Sequence, residues 1–160
     1  MAEEQKRLEQ TKYSFGTTSA IITNLGLITG LDTLTSPKMS IIGSILVIAL
    51  VDNISDSLGI HVYQESECIT EREVWFSTIT NFLARLLVSA TFVFLIALLP
   101  IKIAVLSSVC WGIFLLSILS YAIAKKRGLS PYQAMLEHIG IATVVIMVSH
   151  FLGEYLIRRF

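Results

Sequence analysis

The sequence predicts an all-α integral membrane protein with five transmembrane helices. Three observations carry this. The 160-residue chain is 54% hydrophobic and only 15% charged, with a mean hydropathy of +0.72, whereas soluble domains carry about 25% charged residues. The charges gather between apolar runs instead of mixing into them. Each run holds roughly 20 residues or more, enough for a helix to cross a roughly 30 Å hydrocarbon core. A formal net charge of zero gives no argument for nucleic acid as a partner. Cys68 sits in a polar loop and Cys110 in an apolar run, so no disulfide and no CxxC metal or redox motif is expected.

Residues 1–12, MAEEQKRLEQTK, are polar and mixed in charge, unlike a signal peptide. They read as a short polar N-terminal segment on the membrane surface, ahead of a single five-helix domain, 13–160. Span one, 13–34, is rich in small and hydroxyl residues. Gly26 and Gly30 form a GxxxG step, which lets helix backbones approach where lipid offers no hydrophobic drive. The step is either a dimer seam or packing within one subunit. Asn24, near the middle of this span, is a polar group that needs a partner. Ser36 and Pro37 read as an N-cap and a first-turn proline opening span two, 40–61. An acidic connection, His61 to Glu73, holds Glu65, Glu67, Glu71 and Glu73 against Arg72, and Thr70 with Glu73 reads as a capping box. Span three, 74–99, begins with Trp75 and Phe76 as an interfacial belt. It carries Asn81 and, close to the midplane, Arg85. Pro100 and Lys102 mark a tight turn into span four, 103–124, which ends in Lys125, Lys126 and Arg127. Ser130-Pro131 opens span five, 132–157, with Glu137 and His138 near its start and His150 and Glu154 toward its end.

Five spans place the termini on opposite sides. With the N-terminus cytoplasmic, the inner side holds Lys6, Arg7, Lys12, Arg72, Lys125, Lys126 and Arg127; the outer side holds Lys38, Lys102, Arg158 and Arg159. The positive-inside rule therefore favours a cytoplasmic N-terminus and an outside or lumenal C-terminus.

Span two is the chemical centre. Asp52 and Asp56 lie four apart, so on a helix both carboxylates share one face, with Ser55 and Gly59 beside them. A carboxylate deep in hydrocarbon costs roughly 2.5–3.5 kcal/mol on insertion scales, so such a pair points to use.

Three stretches carry a family resemblance: FGTTSAIITNLGLITGL in span one, VDNISDSLGIHVYQESE in span two, and RGLSPYQAMLEHIGIATVVIMVSHFLGEYLI at the end. Together they resemble the vacuolar iron transporter family over nearly the whole chain. The resemblance implies five spans in this order, a homodimer and transport of iron or manganese. It also has departures. The family's early aspartate falls on the stretch Thr17-Thr18-Ser19-Ala20. Its methionine and glutamate in span two fall on Asp56 and Ile60. Its long metal-binding insertion is reduced to His61 to Glu73. A hard aspartate in place of a thioether shifts preference toward Mn²⁺, Mg²⁺ or Fe²⁺.

Charge counting then suggests a mechanism. A site of two carboxylates can be neutralised by one divalent cation or by two protons, which is a metal/proton antiporter in minimal form. Asp52 and Asp56 are the expected ligands, with Asn24 and Asn53 supplying neutral oxygens. His150 and Glu154 are an expected proton relay or exit path. Glu65, Glu67 and Glu71 would concentrate cations at a cytoplasmic mouth. Arg85 is an expected counter-ion to either aspartate, in which case it compensates one carboxylate and weakens the metal site. The cargo would be Fe²⁺ or Mn²⁺, with no permanently bound cofactor, across a prokaryotic plasma membrane or, in a eukaryote, a vacuolar-type one. The competing reading is a non-transporting membrane scaffold. No nucleophile–base arrangement suggests an enzyme.

Overall fold

The computed structural model describes residues 2–34 and 37–160, and the side chains of 16–34 and 37–160. The described residues form five helices and no strand: α1 (Ala2–Thr33), α2 (Lys38–Ser66), α3 (Glu71–Leu98), α4 (Ile101–Lys126) and α5 (Pro131–Arg159). The polar stretch at the start is helical from Ala2 and runs without a break into the apolar part of α1, one helix of 32 residues, about 48 Å at 1.5 Å per residue.

The chain stops and restarts where its local chemistry requires. Pro37 caps α2, Pro100 caps α4, and Pro131 occupies the first turn of α5 after Ser130. Ser36, expected as the cap of α2, lies outside the described residues. Thr70 caps α3, but its hydroxyl donates to Glu73 Oε2 at 2.8 Å and makes no side-chain bond to the helix backbone. The reciprocal capping box is therefore not formed. Lys38 Nζ donates to the carbonyls of Ala97 (2.6 Å) and Leu99 (3.0 Å), tying the start of α2 to the end of α3.

α2 and α4 end in the same motif built on different residues. After α4, Gly128 has φ 67°, its N–H reaches Lys125 O, and the Leu129 N–H reaches Ala124 O at 3.0 Å. After α2, Cys68 has φ 55°, its N–H reaches Glu65 O, and the Ile69 N–H reaches Gln64 O. Both are Schellman closures, which favour glycine in the left-handed position. A side chain there costs about 1–2 kcal/mol. Cys68→Gly is therefore expected to raise the melting temperature of the detergent-solubilised protein. A fall would mean that the thiol makes a compensating contact.

α2, α3, α4 and α5 are each long and apolar enough to cross a membrane. α1 is not among them, and its position explains why. It packs against all four other helices, and none of its residues from 16 to 33 is exposed. A helix enclosed by protein needs no lipid-facing apolar surface, so glycine, threonine and serine serve it better than leucine. Ile21, Leu25 and Ile28 join Ile41, Ile45, Phe92, Ile96 and Leu116 in one core. α4 buries Ala104, Ser108, Gly112, Leu116, Ser120 and Ala124, mostly small residues at every fourth place. A β-carbon on Gly112 would press into the Leu25 side chain, so this spacing brings α4 close to α1.

The GxxxG step of α1 does the same on the other side. Gly26 faces Val145 and Ser149, and Gly30 faces the Ser149 backbone, all on α5 of the same chain. Gly153 of α5 packs onto Thr33 and the Gly30 carbonyl, where a β-carbon would overlap both. Gly26 and Gly30 thus form the α1–α5 seam within one subunit and not a dimer seam. The physical reason is that α1 is enclosed over residues 16–33 and has no exposed residue there to offer a second copy.

Candidate functional site

α2 and α3 share a polar seam at mid-depth. α2 buries Ile41, Ile45 and Ala49, then switches to Asn53 and Ser57 along the same four-residue stripe. α3 answers with buried Ser77, Asn81, Arg85 and Ser89. The stripe is apolar at one end and polar from its centre, which sets the register of the two helices.

Arg85 is the hub. Its side chain is fully buried, near the middle of α3. Nε donates to Asn53 Oδ1 at 2.6 Å, Nη2 donates to Asp52 Oδ2 at 2.5 Å, and Nη1 donates to Asp56 Oδ2. A guanidinium is suited to this because its donors are fixed in one plane and diverge. Asn81, one turn from Arg85, donates to Ser57 Oγ at 3.3 Å. Gly16 of α1 lies directly over this pair: a β-carbon there would overlap the Asn81 amide and touch Arg85 Cδ. The small residue lets α1 close the inner side of the site.

The outer side is open. The Asp52 side chain is 41% exposed and that of Asp56 31%. Two carboxylates meet one guanidinium, so the formal charges of the three side chains do not cancel.

The structure brings together only some of the expected site residues. Asp52, Asp56, Asn53 and Arg85 meet, but Asn53 turns its oxygen to Arg85, and its buried Nδ2 has no partner among the described residues. Asn24 is elsewhere: its Nδ2 donates to Ala20 O at 2.7 Å and to Ser89 Oγ at 3.0 Å, which ties α1 to α3. His150 and Glu154 are also apart from the carboxylates. They sit on the open face of α5, 3.5 Å from each other, and Glu154 is 3.4 Å from Arg158; α5 packs mainly on α1 and α4. Glu65, Glu67 and Glu71 are exposed around the α2–α3 turn. Among the described residues no three His, Cys, Asp or Glu side chains converge as a ready-made metal cage. Both cysteines are free and exposed.

One polar group escaped the sequence reading. His61, a turn beyond Ser57 on α2, packs edge-on against Trp75 with ring centroids 4.7 Å apart. Its Nδ1 lies 3.1 Å from Thr78 Oγ1, and its Nε2 lies 3.4 Å from Glu65 Oε1. The signal was available: Asn53, Ser57, His61 and Glu65 repeat at four-residue intervals, as do Asn81 and Arg85 opposite them. Next to His61 an open groove of about 320 Å³ runs between α2 and α3. It is lined mainly by apolar residues, with Ser57, His61 and Thr78 as its polar members and neither aspartate among them.

An apolar all-α bundle with a charged centre between two helices defines the class as a helical membrane protein with an ionic cluster built on a buried arginine. Compared with family models, curated proteins and solved structures, the chain gives no match.

Proposed function

We propose that the protein is a membrane carrier that exchanges a divalent cation, Fe²⁺ or Mn²⁺, for protons through Asp52 and Asp56. The supporting observation is the charge imbalance. A salt bridge that served only to hold helices would balance with one carboxylate and be enclosed on all sides. Here a second carboxylate is added, and both remain partly open on the outer face of α2 at the middle of the helix. Lipid cannot solvate that face. A proton or a shared metal ion neutralises the excess charge, and the two compete for the same oxygens.

This reading includes five spanning helices with α1 at their centre, a cytoplasmic N-terminus, and a plasma-type membrane. It also includes a second copy of the chain laid over the exposed side of Asp52 and Asp56, which would enclose them away from lipid. The resemblance to the vacuolar iron transporter family, read from the stretches quoted above, points the same way. Arg85 takes the part of a tethered cation that holds the carboxylates together when no metal is bound.

The scaffold reading has one observation of its own: Arg85 engages Asp52, Asp56 and Asn53 at once, as a purely structural hub would. Reconstitution separates the two. Proteoliposomes holding the purified protein are expected to take up Mn²⁺ faster than empty vesicles, and faster still with an opposing pH gradient. Uptake no faster than in empty vesicles under either condition would leave the scaffold.

A further inference from the structure

Two turns at one end of the bundle carry opposite charge. α3 and α4 are joined by residues 99–100 alone and pack against each other, so the start of α3 and the end of α4 lie together. The α2–α3 turn holds Glu65, Glu67, Glu71 and Glu73 against Arg72. At the α4–α5 turn stand Lys125, Lys126 and Arg127, all exposed. No acid lies in α4 or in that turn. The first one beyond it in the chain is Glu137, in the second turn of α5.

The protein does not use these cations itself. Among the described residues none of the three makes an ion pair. Lys125 Nζ lies 5.9 Å from the centre of the Tyr121 ring, a contact that leaves its N–H donors free. Capping does not engage them either. The last carbonyls of α4 are taken by the backbone: the Arg127 N–H reaches Ile123 O at 3.0 Å, the Gly128 N–H reaches Lys125 O, and the Leu129 N–H reaches Ala124 O. Three adjacent like charges repel one another, so the cluster favours an anion from outside the chain.

The surroundings decide which anion. α4 and α5 are each long and apolar enough to cross a membrane, so the turn between them falls at headgroup depth. Leu129, Tyr132 and Leu136 follow the cations in the chain and Tyr121 precedes them by one turn, and all four are exposed. Tyrosines at this level suit the interfacial belt. A soluble polyanion has no need of such an apolar collar. A phospholipid does: its phosphodiester meets the ammonium and guanidinium groups, and its glycerol and first methylenes meet Leu129 and Tyr132.

We propose that the α4–α5 turn binds the headgroup of an anionic phospholipid, with Lys125, Lys126 and Arg127 on the phosphodiester. The acidic α2–α3 turn at the same end repels that lipid. The anionic shell is therefore one-sided, gathered at α4 and α5 and kept from the α2–α3 seam. The site stands independently of any transport by the protein.

The test titrates the purified full-length protein, in neutral detergent at low ionic strength, with phosphatidylglycerol and with phosphatidylcholine of the same chain length. Bound lipid is counted by native mass spectrometry. Each lysine or arginine near an anionic surface contributes about fivefold in affinity, so wild type is expected to prefer phosphatidylglycerol by at least about tenfold. Lys125→Gln, Lys126→Gln and Arg127→Gln combined should bind the two lipids alike. Lys125→Arg, Lys126→Arg and Arg127→Lys combined, which keeps the charge, should retain the preference. Arg158→Gln with Arg159→Gln, which removes two exposed cations at the far end of α5, should leave it as in wild type. The milder Lys126→Gln with Arg127→Gln shifts the preference in the same direction as the triple glutamine variant and covers the case in which that variant does not extract. The proposal is overturned if wild type binds the two lipids alike, if the glutamine variants keep the preference, or if the change at 158 and 159 lowers it equally. It is also overturned if glycerol phosphate at equal concentration displaces the lipid, which marks a site for free phosphate.

Discussion

Arg85→Met is expected to be the most damaging single substitution in the chain. It replaces a fully buried guanidinium with a side chain of similar reach and leaves Asp52, Asp56 and Asn53 without their shared donor. Breaking a buried ion pair from one side costs about 3–5 kcal/mol, because the remaining charge stays behind. Natural proteins hold a margin of only about 5–15 kcal/mol. The variant should therefore express poorly and aggregate on extraction, read by size-exclusion chromatography in mild detergent. Removing the stranded charges should reverse this: Arg85→Met combined with Asp52→Asn and Asp56→Asn is expected to recover a monodisperse protein. An Arg85→Met single variant that melts with wild type would mean that the guanidinium does not hold α2 to α3.

The second large effect falls on transport and leaves the fold intact. Asp52→Asn or Asp56→Asn keeps the side-chain shape, and Arg85 retains one carboxylate and Asn53. Each variant should therefore extract and melt close to wild type. Each also removes the excess negative charge on which the exchange depends. Losing even an outer-shell partner of a metal site costs about 10–100-fold, so losing a ligand should cost at least that in Mn²⁺ uptake. Normal uptake by both variants would show that these aspartates do not bind the cargo.

Much of the architecture was legible because membranes simplify the problem. Apolar run length sets helix length, and Pro37, Pro100 and Pro131 mark three of the four restarts. The centre of the site was legible too, since Asp52, Asp56 and Arg85 are charges inside apolar runs and have few partners to choose from. Side-chain direction around each helix was not legible. Asn24 and Asn53 look equivalent as amides in apolar spans, yet one bonds Ser89 and the other Arg85. Gly26 and Gly30 suit any close helix contact, and only the enclosure of α1 assigns them to α5. His150 with Glu154 and His61 with Glu65 have the same i, i+4 spacing. The first pair lies on the open face of α5, whereas the second lies on the seam that leads to Arg85. Spacing finds such pairs, but only tertiary packing tells them apart.

The measurement that bears most directly on the charge imbalance is a proton count. Mn²⁺ is added to the purified protein in weakly buffered nanodiscs, and the acid released is titrated against the metal bound. A carboxylate pair that trades protons for metal must release protons as Mn²⁺ binds, and Asp52→Asn with Asp56→Asn must abolish both binding and release. Mn²⁺ that binds without acid release, or acid release that persists in the double variant, would contradict the account.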